Sequence, residues 1–383
     1  MRTIRLVHIA DLHAGKTNER RLNRNKDLLH SLNQVLDLIK SEKADYLLVA
    51  GDIFDKKLPD AESLGLITEF FVKVGELKTK IVAVSGNHDS VQFLEAQTPW
   101  MEKFDIKLFT RPTANKLVFA DGELAFVGIP FISERAITDL GEGVQRAKIQ
   151  YSEAVKKLLL YVEKKVENFK WKILIGHLFF AGSKIGNSEI EVTVSDAYAV
   201  SQSVLPPTFD YIALGHVHRY QRLQESPTTA YYTGSLYQLD FGESGQDKFF
   251  NFVILEGKNP KVEKIKLSLL TRFEKLTLRK GDRVGNLVRF KKENTYYWVT
   301  VEADTPQEFM LRKRKLEEIF GENLLRVYPQ DRLKRKKEKN SSNRGTLNLR
   351  NPVEVLKAYY KSQGREWNTE AERVIRKLLE EKI

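Results

Sequence analysis

With 383 residues, no cysteine and a formal charge of +12, the chain excludes disulfides, thiolate metal sites and cysteine nucleophiles, so any metal it binds is held by oxygen and imidazole. Hydrophobic residues make up 42% and charged residues 30%, no apolar run reaches membrane-spanning length, and Met1 leads directly into a strand-like segment, which points to a cytoplasmic protein with a buried core. The excess of Lys and Arg favours a polyanionic partner such as nucleic acid; a lysine-rich solvated surface gives the same charge.

Thr3 to Ala10 reads as a strand that runs into Asp11-Leu12-His13. Residues two apart on an extended chain share a face, so Asp11 and His13 can meet one ligand, while His8 inside the strand reads as a packed residue. Leu28, Leu29, Leu32, Val35, Leu36 and Ile39 then recur at helical spacing. Leu47 to Asp52, LLVAGD, is a buried strand that delivers one carboxylate at its carboxyl end, where open α/β sheets place ligands. A second helical pattern covers Ala61 to Leu77, and the strand Lys80 to Val84 closes on Gly86-Asn87-His88-Asp89. Gly86 permits a tight turn there, so that Asn87 and His88 can project into one cavity.

Short strands fill about 105 to 130, and a long charged helix spans Val144 to Glu167. Trp171 to Gly176 is a fourth strand ending at His177, followed by a loop from Leu178 to Glu191 that reads as mobile over the cavity. Asp210 to Leu214 is a fifth, ending in Gly215-His216-Val217-His218. Thr229 to Thr233, Phe249 to Leu255 and Val262 to Leu267 read as antiparallel strands of a second sheet layer, with turns at Gly234-Ser235 and Asp240-Phe241-Gly242. Alternation of strand and helix predicts an α/β architecture with a mostly parallel sheet. A β, β, α, β module follows over about 270 to 330; then come a flexible basic linker over 331–350 and two short amphipathic helices over 351–383, whose apolar faces need a partner. The domain reading is therefore 1–268, 269–330, 331–350 and 351–383.

Each of five strand-like runs ends on Asp, Asn or His, and these ends hold His13, His88, His177, His216 and His218 out of seven histidines in all. Carboxylate and amide oxygen with imidazole nitrogen suits manganese, iron or zinc. Asp11, His13, Asp52, Asn87, His177, His216 and His218 are too many donors for one ion. They suit two ions roughly 3.5 to 4 Å apart, the arrangement used for phosphoester cleavage, with Asp52 as the natural bridge.

The blocks DxH, GDxxD, GNHD, GH and GHxH, in that order from Asp11 to His218, resemble the calcineurin-like metallophosphoesterase superfamily. That resemblance implies a two-layered β-sandwich flanked by helices, with Asp11, His13, Asp52 and His218 on one ion and Asp52, Asn87, His177 and His216 on the other. It leaves His88 without a metal, near the leaving oxygen as a general acid or a stabilising cation, and Asp89 orienting its ring. DYIALGHVHR over 210–219, Gly234-Ser235, Asp240-Phe241-Gly242, the small α+β module and the helical C-terminal tail resemble the SbcD nuclease subunits, bacterial relatives of the meiotic-recombination-eleven nuclease. This further resemblance implies a manganese-dependent 3′-to-5′ exonuclease on duplex DNA ends that is also an endonuclease on single strands and hairpins. It also implies a homodimer, a DNA-capping domain over 269–330, and tail helices docked on a coiled-coil ATPase of the SbcC type. Asp55 stands where archaeal and eukaryotic relatives often carry a second histidine. A phosphomonoesterase or small-molecule phosphodiesterase on the same scaffold and a non-catalytic DNA-tethering scaffold are the rival readings.

Overall fold

The computed structural model describes residues 3–18, 22–113, 116–133, 144–185, 199–257 and 259–330. The predicted linker and tail helices, and the part of the predicted loop from 186 to 191, lie outside these residues. Strands β1 (Ile4–Ile9), β2 (Tyr46–Ala50), β3 (Lys80–Val84) and β4 (Ile106–Phe109) lie side by side and parallel, with α1 (Asn25–Glu42), α2 (Ala61–Glu76) and α3 (Val91–Met101) as the intervening helices. A second sheet is built from β5 (Val118–Asp121), β6 (Leu124–Ile129), β7 (Trp171–His177), β8 (Tyr211–Gly215), β9 (Gln221–Arg222) and β10 (Ala230–Tyr232), in the order β5-β6-β7-β8-β10-β9. Helix α4 (Val144–Lys165) connects β6 to β7. The chain then returns to the first sheet, where β11 (Phe249–Glu256) runs antiparallel to β1 and β12 (Asn259–Lys266) forms the edge.

The sandwich expected from the sequence is therefore present, but its layers divide differently. Residues 249–256 and 259–266 belong to the first sheet rather than the second, and Ala230–Tyr232 pairs parallel, not antiparallel, with β8. For β11 and β10 the reason is local: largely buried strands carry the same apolar runs in either layer, so pattern alone does not assign them to a sheet, and the half-exposed β12 follows β11 as its antiparallel partner.

Side-chain alternation sorts the strands into three apolar layers. Tyr46, Leu48 and Ala50 of β2, Val82 and Val84 of β3, Ile173 and Ile175 of β7, and Tyr211 and Ala213 of β8 fill the space between the sheets. Leu47, Val49, Ile81 and Ala83 point the other way, onto Leu28, Leu32, Val35 and Ile39 of α1 and onto Ile67, Phe71 and Val74 of α2. Leu174, Ile212 and Leu214 face the opposite exterior, covered by Val155, Leu159 and Val162 of α4. Helix α2 starts at Asp60, whose carboxylate accepts from the Ser63 N–H at 2.9 Å, and α3 starts at Ser90, whose hydroxyl accepts from the Phe93 N–H at 3.3 Å.

A polar chain crosses the inter-sheet layer. His8 Nδ1 and the Tyr211 hydroxyl lie 2.9 Å apart, the Asn251 amide donates to that hydroxyl at 2.9 Å, and the Tyr220 hydroxyl donates to Asn251 Oδ1 at 2.9 Å. The third sheet, in the order β13-β14-β15, consists of β13 (Arg272–Leu278), β14 (Thr295–Val301) and β15 (Leu324–Pro329), with α5 (Pro306–Phe320) before its last strand. The described residues form two compact units, one of 3–276 with 283–299 and 315–327, the other of 277–282 with 300–314 and 328–330. In the first, the rings of Phe241 and Phe273 pack 4.6 Å apart. In the second, Arg312 donates to the Arg279 carbonyl at 3.0 Å.

Candidate metal centre

The carboxyl ends of β1, β2, β3, β7 and β8 deliver the candidate side chains, and the backbone there leaves the ordinary regions. Asp11, His13, Asp52 and His216 have φ of 51°, 44°, 49° and 97°, values that L-residues rarely adopt and that persist only where the surroundings impose them. The imposing contacts are specific. The Asp11 and His13 N–H groups donate to the carbonyls of Gly51 and Asp52 at 3.1 and 2.9 Å, and the His216 N–H donates to Asp11 Oδ1 at 2.8 Å. Close approach explains the glycines of the blocks: a Cβ on Gly86 would fall on the Asp52 carboxylate, and one on Gly215 would fall on the Ala50 carbonyl.

Asp11, His13 and His218 form one grouping whose ligand atoms lie within 4.8 Å of one another; Asp11, Asp52 and His177 form another, and His13, Asp52 and His88 a third. His13 Nε2 and His218 Nε2 are 3.3 Å apart. Asp52, shared by the second and third groupings, has Oδ2 3.6 Å from His13 Nε2 and 3.5 Å from His177 Nε2. Asn87 Oδ1 lies 3.0 Å from His177 Nε2 and 2.9 Å from His216 Nδ1. Asp11 Oδ2 is buried without a hydrogen-bond partner among the described residues, an omission that costs about 1–3 kcal/mol and that a cation would make good. The donor set is oxygen and imidazole, so the residues present fit a divalent transition metal. His8 stands apart from this cluster, paired with Tyr211.

Burial and mutual charge set the protonation states. Burial drives His13 and His216 down, to about 4 and about 3, leaving both neutral at pH 7. Against the cost of its own burial, His177 is raised to about 9 by the Asp52 and Asp11 carboxylates, and the same cation holds Asp52 well below the usual carboxylate range despite burial. Burial pushes Asp11 up to about 6.

The partners behind the imidazoles differ. His13 Nδ1 faces Asp55 Oδ1 at 3.2 Å, and Asp55 is paired with Lys16 at 3.1 Å; against burial, these two cationic or donor neighbours keep the Asp55 carboxyl at about 2. His218 Nδ1 faces Glu243 Oε1 at 3.0 Å, whereas His177 Nδ1 bonds the Ala50 carbonyl at 2.9 Å, with Asp11 Oδ1 farther off at 3.9 Å. His88 Nδ1 bonds the Asp55 carbonyl oxygen at 2.9 Å. Asp89 therefore does not orient the His88 ring as expected. Its two oxygens accept from the N–H groups of Ile53, Phe54 and Gly86 at 3.2, 2.9 and 2.8 Å, so the carboxylate ties the end of β2 to the turn after β3. Lys57 secures the same turn, donating to the carbonyls of Asn87 and Asp89 at 2.6 and 2.7 Å.

Sequence reasoning missed Glu243, Lys248 and Lys57. Glu243 follows directly on Asp240-Phe241-Gly242, read as a turn, and charged residues in turns are ordinarily solvated; only the packing of that turn under His218 buries it.

Residues 4–220 match the family model described as calcineurin-like phosphoesterase. The chain is 32% identical over 260 residues to the SbcD component of the nuclease SbcCD of Bacillus subtilis, covering 65% of this chain and 66% of that relative. It is 28% identical over 300 residues to the SbcD component of the nuclease SbcCD of Staphylococcus epidermidis, covering 77% and 78%. The crystal structure of a dimetal phosphatase from Danio rerio is similar at a TM-score of 0.46 and 13% identity, covering 69% of this chain and 96% of that one. With the family model spanning more than half of the chain and reaching the last histidine block, this chain belongs to the calcineurin-like phosphoesterases.

Proposed function

We propose that the chain is the nuclease subunit of an SbcC–SbcD-type DNA double-strand break repair complex, a manganese-dependent 3′-to-5′ exonuclease on duplex ends and an endonuclease on single strands and hairpins. The observation that supports the reading is the position of Asp52 Oδ2 within 3.6 Å of His13 Nε2 and 3.5 Å of His177 Nε2, in a chain whose relatives are named as nucleases. In this reading Asp11, His13, Asp52 and His218 hold one ion and Asp52, Asn87, His177 and His216 the other. Bound there, two divalent ions supply Lewis-acid charge to the phosphoryl oxygens and make a nucleophile available at neutral pH.

The chain's own groups do the rest. His88 donates Nδ1–H to the Asp55 carbonyl, so Nε2 is the atom turned to the leaving oxygen, and it can hand over a proton only from the imidazolium form. Lys57 and Asp89 fix the turn that carries His88 and hold Asn87 beside it. Residues 1–268 form the catalytic domain, 269–330 cap the DNA, 331–350 form the basic linker, and 351–383 dock on the ATPase coiled coil; two copies make a homodimer in the cytoplasm. Among the described residues no helix is long and apolar enough to cross a membrane.

Anomalous scattering from manganese-soaked crystals, together with hairpin DNA and a small phosphodiester offered in parallel, tests the reading. Two manganese peaks and cleavage of the hairpin, lost in His88→Gln with both ions retained, are expected. A protein that cleaves only the small ester, or holds no ion at this cluster, would falsify the nuclease reading.

A further inference from the structure

Glu243 and Lys248 are a charged pair at 1% and 2% exposure, with Lys248 Nζ 2.6 Å from Glu243 Oε2. Taking both charges out of water costs several kcal/mol per ion before their attraction is counted, and apolar residues of similar volume often serve stability as well. The pair is directed at one residue. Glu243 Oε1 faces His218 Nδ1 at 3.0 Å, while Oε2 also accepts from the Ser235 hydroxyl at 3.1 Å and the Leu239 N–H at 3.0 Å. Lys248 Nζ donates to the His218 carbonyl at 3.1 Å and to the Ser235 hydroxyl at 2.8 Å. Ring and backbone of His218 are thus gripped by the same two side chains.

An ionised carboxylate accepts only, so His218 Nδ1 carries the hydrogen, and the lone pair lies on Nε2, which is 3.3 Å from His13 Nε2 inside the cluster. We propose that Glu243, locked by Lys248, is the positioning residue that fixes His218 as an Nε2 ligand of the ion shared with Asp11 and His13. The inference rests on the metal reading above and adds to it an assignment of tautomer and support. It also distinguishes the two positions: His13 and His218 are backed by carboxylates paired with lysine, His177 by a backbone carbonyl.

Titration calorimetry and electron paramagnetic resonance with Mn²⁺ on the full chain test it. The unmodified protein is expected to bind two ions with an exchange-coupled spectrum. Glu243→Gln combined with Lys248→Met removes both charges together, so neither is stranded. In that double variant one of the two ions should bind about 10- to 100-fold more weakly and the spectrum should become that of an isolated ion. Two ions at unchanged affinity, or both weakened equally, overturn the proposal. An unmodified protein that binds no Mn²⁺ fails the metal reading instead. Should the double variant not fold, nitrogen-15 histidine spectra of the unmodified, metal-free protein decide: a proton on His218 Nδ1 is expected, and one on Nε2 overturns the assignment.

Discussion

From Ile4 to Ile9, β1 turns its side chains alternately into two apolar layers, and two residues later Asp11 sits at a φ of 51° with a carboxylate oxygen that has no hydrogen-bond partner among the described residues. The same passage recurs from Ala50 to Asp52 and from Leu214 to His216. Strand bodies bury hydrocarbon in regular geometry; strand ends bury charge in strained geometry. The difference teaches that the cluster is stabilised from outside itself, by bodies whose burial offsets what the ends cost.

Substitutions in the two regions should therefore change stability in opposite directions. Leu48→Ala, fully buried between the sheets, should destabilise the metal-free protein by about 2–5 kcal/mol in denaturant titration. Asp11→Asn should do the reverse. Its carboxyl is raised to about 6 from 3.8, so at pH 7 the ionised group costs about 3 kcal/mol that the amide avoids. A raised carboxyl is charged, and penalised, only above its folded value. The gain should accordingly be full above pH 6 and vanish as pH falls to about 4, while phosphodiester cleavage is lost throughout. If Asp11→Asn destabilises the metal-free chain at pH 7, the contrast between bodies and ends is broken.

Metal loading sharpens the comparison by about a factor of ten per pH unit. His177, raised to about 9, carries a proton at pH 7 that an ion must displace, so manganese affinity should climb about tenfold per pH unit up to about pH 9. Calorimetry in buffers of different ionisation enthalpy should count one proton released per His177-bound ion. The smallest effect is expected away from both regions. Asp60→Ala removes the cap of α2 and should lower stability by about 1 kcal/mol without altering metal affinity.

Much of this contrast was legible in the sequence because the ends break the apolar runs abruptly. LLVAGD and YIALGHVH announce both the strand and its terminal donors, and Gly86 and Gly215 mark places where two chain segments come too close for a Cβ. Assignment to sheets was not legible: Phe249–Glu256 is apolar enough for either layer, and only its hydrogen bonds to β1 decide. Nor were the groups behind the histidines. Asp89 stood next to His88 and invited a direct partnership, yet three backbone N–H groups take its oxygens; Glu243 acquired its partner through a turn whose packing no periodicity encodes.

The antiparallel pairing of Ile4 with Leu255 has a bearing on synthesis. A nascent chain exposes the open flank of its first strand while the whole of the second sheet is being made, a long-range closure of the kind that folds slowly and leaves an edge free to associate wrongly. Glu243 and Lys248 also emerge only shortly before that closing strand. Both the closing strand and the two side chains that grip His218 therefore follow the last of the cluster residues in the chain, so synthesis delivers the support of the centre after the cluster itself.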